Sequence, residues 1–215
     1  MTVTFERAIP FAEKAGFRHL ELDVYRSDAQ GDARWPLLHY VHGGGWQVSS
    51  RQRAPRETRG WMPDMFAQLA EAGFVVAAND YRFSGEALFP AAVEDTTDAL
   101  TWLRTNADRF GIDASRVVLF GQSAGGYLAA AVGLDPAIPP VQGIACWYPL
   151  TDFSVIDDHD PAADFPSAWL GAPLGTVPDL VAASRVPRLA RADAPPVLLQ
   201  HGTADTMAPY QQSVL

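Results

Sequence analysis

Short apolar runs alternate with amphipathic segments along almost all of this 215-residue sequence. The runs that predict strands cover residues 18–26, 35–41, 74–79, 116–120, 143–148 and 196–200. Segments with helical periodicity fall between them, at residues 61–73, 90–108 and 124–132. Strands that are joined through helices run parallel. The alternation therefore predicts one α/β domain over residues 1–215, with a mostly parallel sheet covered by helices on both faces.

Residues 151–194 depart from this alternation. They contain five prolines, several aspartates and only short helical runs such as PDLVAAS. Because the segment follows one predicted strand and precedes another, we interpret it as a lid-like insertion at the carboxyl edge of the sheet, where open α/β sheets bind ligands. Two roles stay open: the insertion either shapes a substrate pocket or packs against the domain without a binding role.

The charge balance excludes two classes of partner. Sixteen Lys and Arg stand against 25 Asp and Glu, which gives a formal net charge of −9. Nucleic acids and anionic membrane surfaces both require a basic face, so neither is expected as a partner. The N-terminal residues lack the apolar core of a signal peptide, and no apolar run is long enough to span a membrane. These observations favour a cytoplasmic location.

The sequence gives no support for cofactor chemistry. Cys146 is the one cysteine, which excludes an internal disulfide and a thiolate metal cluster, and its apolar neighbours predict a buried structural thiol. No H-x-x-H or comparable spacing of histidine and carboxylate occurs. We therefore expect neither a cofactor nor a metal ion.

Residues 121–125, GQSAG, match the pattern G-x-S-x-G between a predicted strand and a predicted helix. In that setting a sharp strand-to-helix turn presents the serine hydroxyl at the end of the sheet. Glycine at positions 121 and 125 permits close packing that side chains would prevent. We predict that Ser123 is the nucleophile of a serine hydrolase. The alternative is a tight turn whose serine takes no part in chemistry.

Three glycines follow the predicted strand at 35–41, in the sequence HGGGW of residues 42–46. A backbone without side chains can approach a substrate closely. Its N–H groups, together with the N–H of the residue after the nucleophile, Ala124, can then stabilise the oxyanion of a tetrahedral intermediate. The alternative is a loop that is merely sharp. We expect His42 to brace this loop and not to act as a base.

With both motifs in place, the sequence resembles the α/β-hydrolase fold, and within it the hormone-sensitive-lipase-like esterases and the related BD-FAE group of feruloyl and acetylxylan esterases. The stretches that carry the resemblance are YVHGGGW at 40–46, GIDASRVVLFGQSAGGYLAA at 111–130, YPLTDF at 148–153 and PPVLLQHGTADTMAPYQQS at 195–213. The resemblance implies a serine carboxylic-ester hydrolase that acts through an acyl-enzyme on a small-molecule ester.

The resemblance also implies roles for single residues. These are Ser123 as nucleophile, Gly44, Gly45 and Ala124 as oxyanion-hole donors, and Asp205 as the triad acid. Asp205 has an argument of its own, because it follows the predicted strand at 196–200 and stands after the serine, as this fold requires. Its carboxylate would hold the imidazole tautomer and stabilise the imidazolium. Asp152, which follows the predicted strand at 143–148, is a rival for this role.

A histidine in the position of the general base is missing. All of the histidines precede Asp205 (His19, His39, His42, His159 and His201), whereas the order in this fold is serine, acid, histidine. Without a positioned base a serine is a weak nucleophile. We therefore expect a C-terminally incomplete esterase that is weakly active or inactive. Rescue by His159 or by another chain is an alternative.

The C-terminal residues 196–215 lead to two structural predictions. The ending QQSVL predicts the first turn of a helix, and the strand at 196–200 is expected to be a bare sheet edge that invites self-association. Two other functions stay open. One is a catalytically dead protein that keeps the pocket for binding, and the other is an amidase or formamidase, which shares the acyl-transfer chemistry.

Aromatic side chains near the motifs are ambiguous. The residues concerned are Trp46, Phe89, Trp147 and Phe153. Each could line an acyl or aromatic pocket, but packing in the core is the more frequent fate of such side chains.

Overall fold

The computed structural model describes residues 2–62 and 64–214. Within these residues seven strands form one sheet in the order β1-β2-β4-β3-β5-β6-β7. The strands are β1 (Val3–Ala12), β2 (Leu20–Ser27), β3 (Trp35–Val41), β4 (Val75–Asn79), β5 (Ile112–Gln122), β6 (Gly143–Trp147) and β7 (Val197–Gln200). β1 and β2 pair antiparallel at one end, and β4, β3, β5, β6 and β7 run parallel.

Helices lie between the parallel strands, as the alternation predicts. They are α1 (Met65–Glu71), α2 (Ala91–Thr105), α3 (Ala107–Phe110), α4 (Ala124–Leu134), α5 (Asp164–Leu170) and α6 (Pro178–Ser184). The helix predicted over 90–108 is divided, because Asn106 leaves helical geometry and separates α2 from α3. β1 was not predicted, since its sequence VTFERAIPFA does not alternate strictly between polar and apolar residues. His19, predicted within a strand, lies just before β2.

The central strands are buried on both faces. In β3, Leu37 and Val41 belong to a core shared with α2 and α4, while Leu38 and Tyr40 belong to a second core shared with α1. Successive side chains of a strand point to opposite faces. A strand covered on both sides therefore reads as a continuous apolar run, which explains the sequence pattern.

The last strand, β7, is exposed along its whole length. Val197, Leu198 and Leu199 of β7 are 41%, 56% and 40% exposed. β7 pairs with β6 along one edge, and within the described ranges its other edge has no partner strand. β7 is thus the bare sheet edge predicted for residues 196–200, and no described element packs over these side chains.

The insertion at 151–194 folds into α5, α6 and short 3-10 turns. Phe153, Trp169 and Val181 from this segment are buried in the larger core. Phe153 and Trp46 are almost inaccessible, as core packing requires, whereas Phe89 and Trp147 are half-buried. Among the helices of residues 2–62 and 64–214, none has the length and apolar character needed to cross a membrane.

Candidate active site

Ser123 lies at the junction of β5 and α4, at the carboxyl edge of the sheet. Its backbone has φ 53° and ψ −125°, a conformation that costs a non-glycine residue of the order of 1–3 kcal/mol. The Ser123 N–H donates to the carbonyl of Trp147 at the end of β6, at 2.8 Å. The turn is therefore strained and tied to the neighbouring strand, and it is not an ordinary reverse turn.

Both flanking glycines are required by close packing. A Cβ on Gly121 would overlap the backbone of Gly125, and a Cβ on Gly125 would overlap the carbonyl oxygens of Val41 and His42. The first turn of α4 thus rests directly on the end of β3. This contact brings the serine and the glycine loop together, as the two motifs predict.

The backbone of the glycine loop has a fixed conformation. Gly44 has φ 119°, a conformation that L-residues rarely adopt, and its carbonyl accepts the N–H groups of Gln47 and Val48. The N–H groups of Gly44, Gly45 and Ala124 have no acceptor among the described residues. Unpaired N–H groups beside a serine are what an oxyanion hole requires.

His42 braces the loop. Its ring is fully buried and stacks on Tyr81 at 4.4 Å between centroids, and its Nδ1 donates to the Gly43 carbonyl at 2.8 Å. Tyr81 donates its hydroxyl to the His42 carbonyl at 3.0 Å. Burial lowers the pKa of His42 to about 4, so the ring is neutral at physiological pH and serves as a structural element.

Asp205 lies in the loop after β7. Its Oδ1 accepts the N–H groups of Met207 and Ala208, both at 2.9 Å, which fixes the carboxylate. Its Oδ2 lies 3.8 Å from Nε2 of His201, too far for a hydrogen bond. His201 is already paired, because Nε2 donates to the Ala208 carbonyl and Nδ1 accepts from the Ser213 hydroxyl, both at 2.7 Å. Among the described residues, Oδ2 of Asp205 accepts no hydrogen bond, so it is able to accept one from an imidazole.

A buried glutamine, which the sequence analysis missed, anchors the segment after Asp205. Gln212 lies in a 3-10 turn, Tyr210–Ser213, and is 2% exposed. Its Oε1 accepts the N–H groups of Thr151 and Asp152 at 2.7 and 2.8 Å, and its Nε2 donates to the Asp152 carbonyl at 2.8 Å. The predicted turn at QQSVL thus exists as a 3-10 turn, and it attaches the acid-bearing loop to the start of the insertion.

Both carboxylate oxygens of Asp152, the alternative triad acid, are bonded to other residues. Its Oδ1 accepts the N–H and hydroxyl of Ser154, and its Oδ2 accepts Nε and Nη2 of Arg185, both at 2.8 Å. Burial alone would raise the pKa of Asp152, but the bonds from Ser154 and Arg185 outweigh it and lower the pKa below its usual value. With both oxygens engaged, Asp152 has no free position for an imidazole.

In residues 2–62 and 64–214, no histidine is hydrogen-bonded to Ser123. The Ser123 hydroxyl has no hydrogen-bond partner in the described part of the chain. His39 is buried in β3 and bonded to Asn79, and His19 and His159 are exposed. Rescue by His159 receives no support from this arrangement, because its backbone N–H bonds to Asp157 within the insertion and nothing connects it to Ser123.

A second polar group beside the serine also escaped the sequence analysis. The Tyr148 hydroxyl lies 2.7 Å from Oε2 of Glu57 and 2.9 Å from Oε1 of Gln122. Tyr148 has φ 39°, and its N–H donates to the Gln200 carbonyl. Its place directly after β6 was a usable signal, since loops at the carboxyl ends of strands border the ligand crevice. Glu57 lies in a short 3-10 turn, Arg56–Thr58, between β3 and α1 and offered none.

This sheet order, with a strained serine between β5 and α4 facing a glycine loop after β3, defines the α/β-hydrolase fold. The same fold is found in a truncated carbohydrate esterase from gut microbiota, with a TM-score of 0.86 at 24% identity over 98% of this chain and 81% of that one. Esterase B of Lactobacillus rhamnosis aligns with a TM-score of 0.77 at 23% identity, over 99% of this chain and 70% of its own.

The chain belongs to the BD-FAE family, whose model matches residues 22–215. It is 28% identical to a probable carboxylic ester hydrolase, LipM, of Mycobacterium tuberculosis, over 95% of this chain and 49% of LipM. It is 29% identical to the esterase LipC of the same organism, over 89% of this chain and 50% of LipC. The chain thus spans about half the length of these curated relatives.

Proposed function

We propose that this chain carries the nucleophile, the oxyanion hole and the acid of a serine carboxylic-ester hydrolase. The observation that supports this most is the strained backbone of Ser123 packed against the glycine loop. Membership of the BD-FAE family and similarity to proteins described as esterases agree with it. The substrates we propose are acetyl, other short-chain acyl or feruloyl esters, including esters of sugars.

The chemistry follows from the positions of these groups. The Ser123 hydroxyl attacks the ester carbonyl, and the carbonyl oxygen takes the negative charge of the tetrahedral intermediate. The unpaired N–H groups of Gly44, Gly45 and Ala124 stabilise that charge. The intermediate expels the alcohol and leaves an acyl group on Ser123, which water then removes. An imidazole held by Oδ2 of Asp205 would move the proton in both steps.

We further propose that residues 1–215 alone turn over esters slowly. Loss of the histidine in a serine hydrolase costs on the order of a millionfold in turnover, and here no side chain bonds to the Ser123 hydroxyl in residues 2–62 and 64–214. A base would have to reach Ser123 from outside this sequence. A pocket that binds esters without hydrolysing them is the competing function, and it is favoured by the lack of a hydrogen-bond partner for the Ser123 hydroxyl among the described residues.

Chemical rescue separates these two functions. We would assay hydrolysis of p-nitrophenyl acetate by the wild-type chain and by Ser123→Ala, with and without added imidazole. Because imidazole hydrolyses this ester by itself, the rate with Ser123→Ala is subtracted. The expected result is little activity without imidazole and a saturable, Ser123-dependent rate with it. Robust Ser123-dependent turnover without imidazole would refute the slow-turnover proposal, and absence of any Ser123-dependent rate would refute the esterase proposal.

A further inference from the structure

One aromatic side chain of the insertion lies directly on the oxyanion loop. The ring of Phe165, in α5, fills the space that a Cβ on Gly45 would need, with its Cγ and Cε1 2.8 Å from that position. Phe165 is half-buried. The ring therefore borders the loop at Gly45, one of the proposed oxyanion-hole residues.

The position of the ring is fixed by the next turn of the same helix. Trp169 stacks on Trp46 with 4.4 Å between ring centroids and 5° between planes. The backbone N–H of Phe89 donates to the Trp169 carbonyl at 3.0 Å, and the Phe89 ring packs edge-on against the Trp169 ring. Gly45 and Trp46, which are adjacent in the loop, thus contact Phe165 and Trp169, which lie one turn apart in α5. The contacts of the Trp169 ring with the rings of Trp46 and Phe89 hold the helix in place.

The order of the strands decides which half of the ester faces Phe165. The glycine loop follows β3, Ser123 follows β5, and Asp205 follows β7, so the glycine loop and Asp205 lie on opposite sides of the serine. The leaving alcohol must be next to the base, which the acid orients, because the base returns a proton to it. The acyl group therefore extends toward the glycine loop.

We propose that Phe165 is the wall of the acyl pocket and that, among the acyl groups proposed above, it favours small ones such as acetyl over bulky ones such as feruloyl. This inference rests on the proposed esterase function. The ring stands where the first atoms beyond the acyl carbonyl would pass, and a fixed aromatic wall excludes added atoms by steric overlap. Such exclusion changes specificity without changing the reacting groups.

The test compares two esters with the same leaving group, p-nitrophenyl acetate and p-nitrophenyl ferulate. Their Ser123-dependent, imidazole-rescued kcat/KM values give a ratio for each variant, corrected for the reactivity of each ester with imidazole alone. Phe165→Ala should raise the ferulate-to-acetate ratio by about tenfold, and Phe165→Trp should lower it further below the wild-type value. Phe5→Ala, at an exposed phenylalanine on β1, is the matched control and should leave the ratio unchanged.

The outcomes distinguish the two proposals. A ratio that is the same in the wild type, Phe165→Ala and Phe165→Trp overturns the role of Phe165 while hydrolysis continues. A wild-type chain that prefers ferulate also overturns it. Absence of Ser123-dependent hydrolysis of both esters refutes the esterase function instead. Because the tryptophan variant keeps an aromatic ring, it guards against a loss of fold in Phe165→Ala.

Discussion

At the scale of single residues, two adjacent glycines in α4 have very different surroundings. Gly125 touches the carbonyl groups of Val41 and His42, whereas the nearest atoms to a Cβ on Gly126 would be 3.2 Å away. Both residues are helical, so both would gain about 1 kcal/mol of helix propensity from alanine. Their difference therefore isolates the effect of the close contact between α4 and β3.

We predict that Gly125→Ala destabilises the fold by about 3 kcal/mol or more, because the added methyl group forces the serine turn away from the glycine loop. Gly126→Ala is the matched control and should change stability by less than about 1 kcal/mol. Urea denaturation followed by circular dichroism measures both. Equal stability of the two variants would show that α4 does not rest on β3 as described.

His39 makes stability depend on pH. It is fully buried in β3, with Nε2 2.7 Å from Oδ1 of Asn79, and burial lowers its pKa from 6.5 to about 4. Between these values the unfolded chain binds a proton that the folded chain excludes. The contribution of His39 is thus fully present above pH 6.5 and is lost as the pH falls toward 4, by up to about 3 kcal/mol.

Replacement of His39 by glutamine should reduce this dependence. The variant His39→Gln keeps a donor for Asn79 but has no proton to bind in this range. We predict a smaller loss of unfolding free energy between pH 7 and pH 5 than in the wild type, measured by urea denaturation. His19→Gln, at an exposed histidine, is the control. An identical pH dependence in His39→Gln and the wild type would contradict this account.

The site residues that were predicted from the sequence belong to short local motifs, and those that were missed interact with distant segments. Ser123, its glycines and the HGGGW loop obey local steric rules, so their geometry follows from a few adjacent letters. Gln212 and Glu57 act through partners about 60 and 90 residues away in the chain. No local pattern marks such a residue, because its role depends on which segments the fold brings together.

At the scale of elements, the loop that carries Asp205 is closed by contacts at its far end. Gln212 makes its hydrogen bonds to the backbone at Thr151 and Asp152, where the insertion begins. Its neighbour Gln211 is exposed. The two glutamines thus separate the effect of the buried amide from that of losing a long side chain.

We predict that Gln212→Ala costs about 3 kcal/mol, since it leaves buried N–H groups at residues 151 and 152 without acceptors. Gln211→Ala should be nearly neutral. Hydrogen exchange at the amides of Thr151 and Asp152 provides a local measurement, and it should accelerate only in the first variant. Unchanged protection of these two amides would mean that the loop is held by other contacts.

Elements with a continuous apolar sequence were predictable, whether they are buried, as β4 is, or exposed, as β7 is. The central strands β3, β4 and β5 and the helix after the serine follow from continuous apolar runs and a small-residue segment. β1 was missed because it lies at the edge of the sheet, where one-sided burial leaves a weak pattern. α2 was predicted too long because Asn106, and not a glycine or proline, ends it, with its side-chain amide donating to the Trp102 carbonyl.

At the scale of the whole molecule, the two ends of the sheet are unlike. β1 closes one end with antiparallel pairing, while β7 at the other end leaves Val197, Leu198 and Leu199 exposed. An uncovered parallel strand with apolar side chains is a template for pairing with another chain. Self-association through β7 is therefore what we predict for these 215 residues in solution.

Leu198→Lys should weaken that self-association by about tenfold or more, because it removes an exposed apolar side chain and adds a charge to the edge. Val48→Lys, at an equally exposed valine in a loop, serves as the comparison. Sedimentation velocity over a range of concentrations measures the association constant. A wild-type chain that stays monomeric throughout would show that β7 does not mediate association.

The insertion touches the site at both of its borders, through Phe165 at Gly45 and through Thr151 and Asp152 at Gln212. Exchange of residues 151–194 for those of a relative would thus alter both the contacts that hold the loop of Asp205 and the surroundings of Gly45. On the roles proposed for Phe165 and Asp205, a change in the insertion that alters selectivity would also alter catalytic power. Retuning one without disturbing the other would require point changes inside α5.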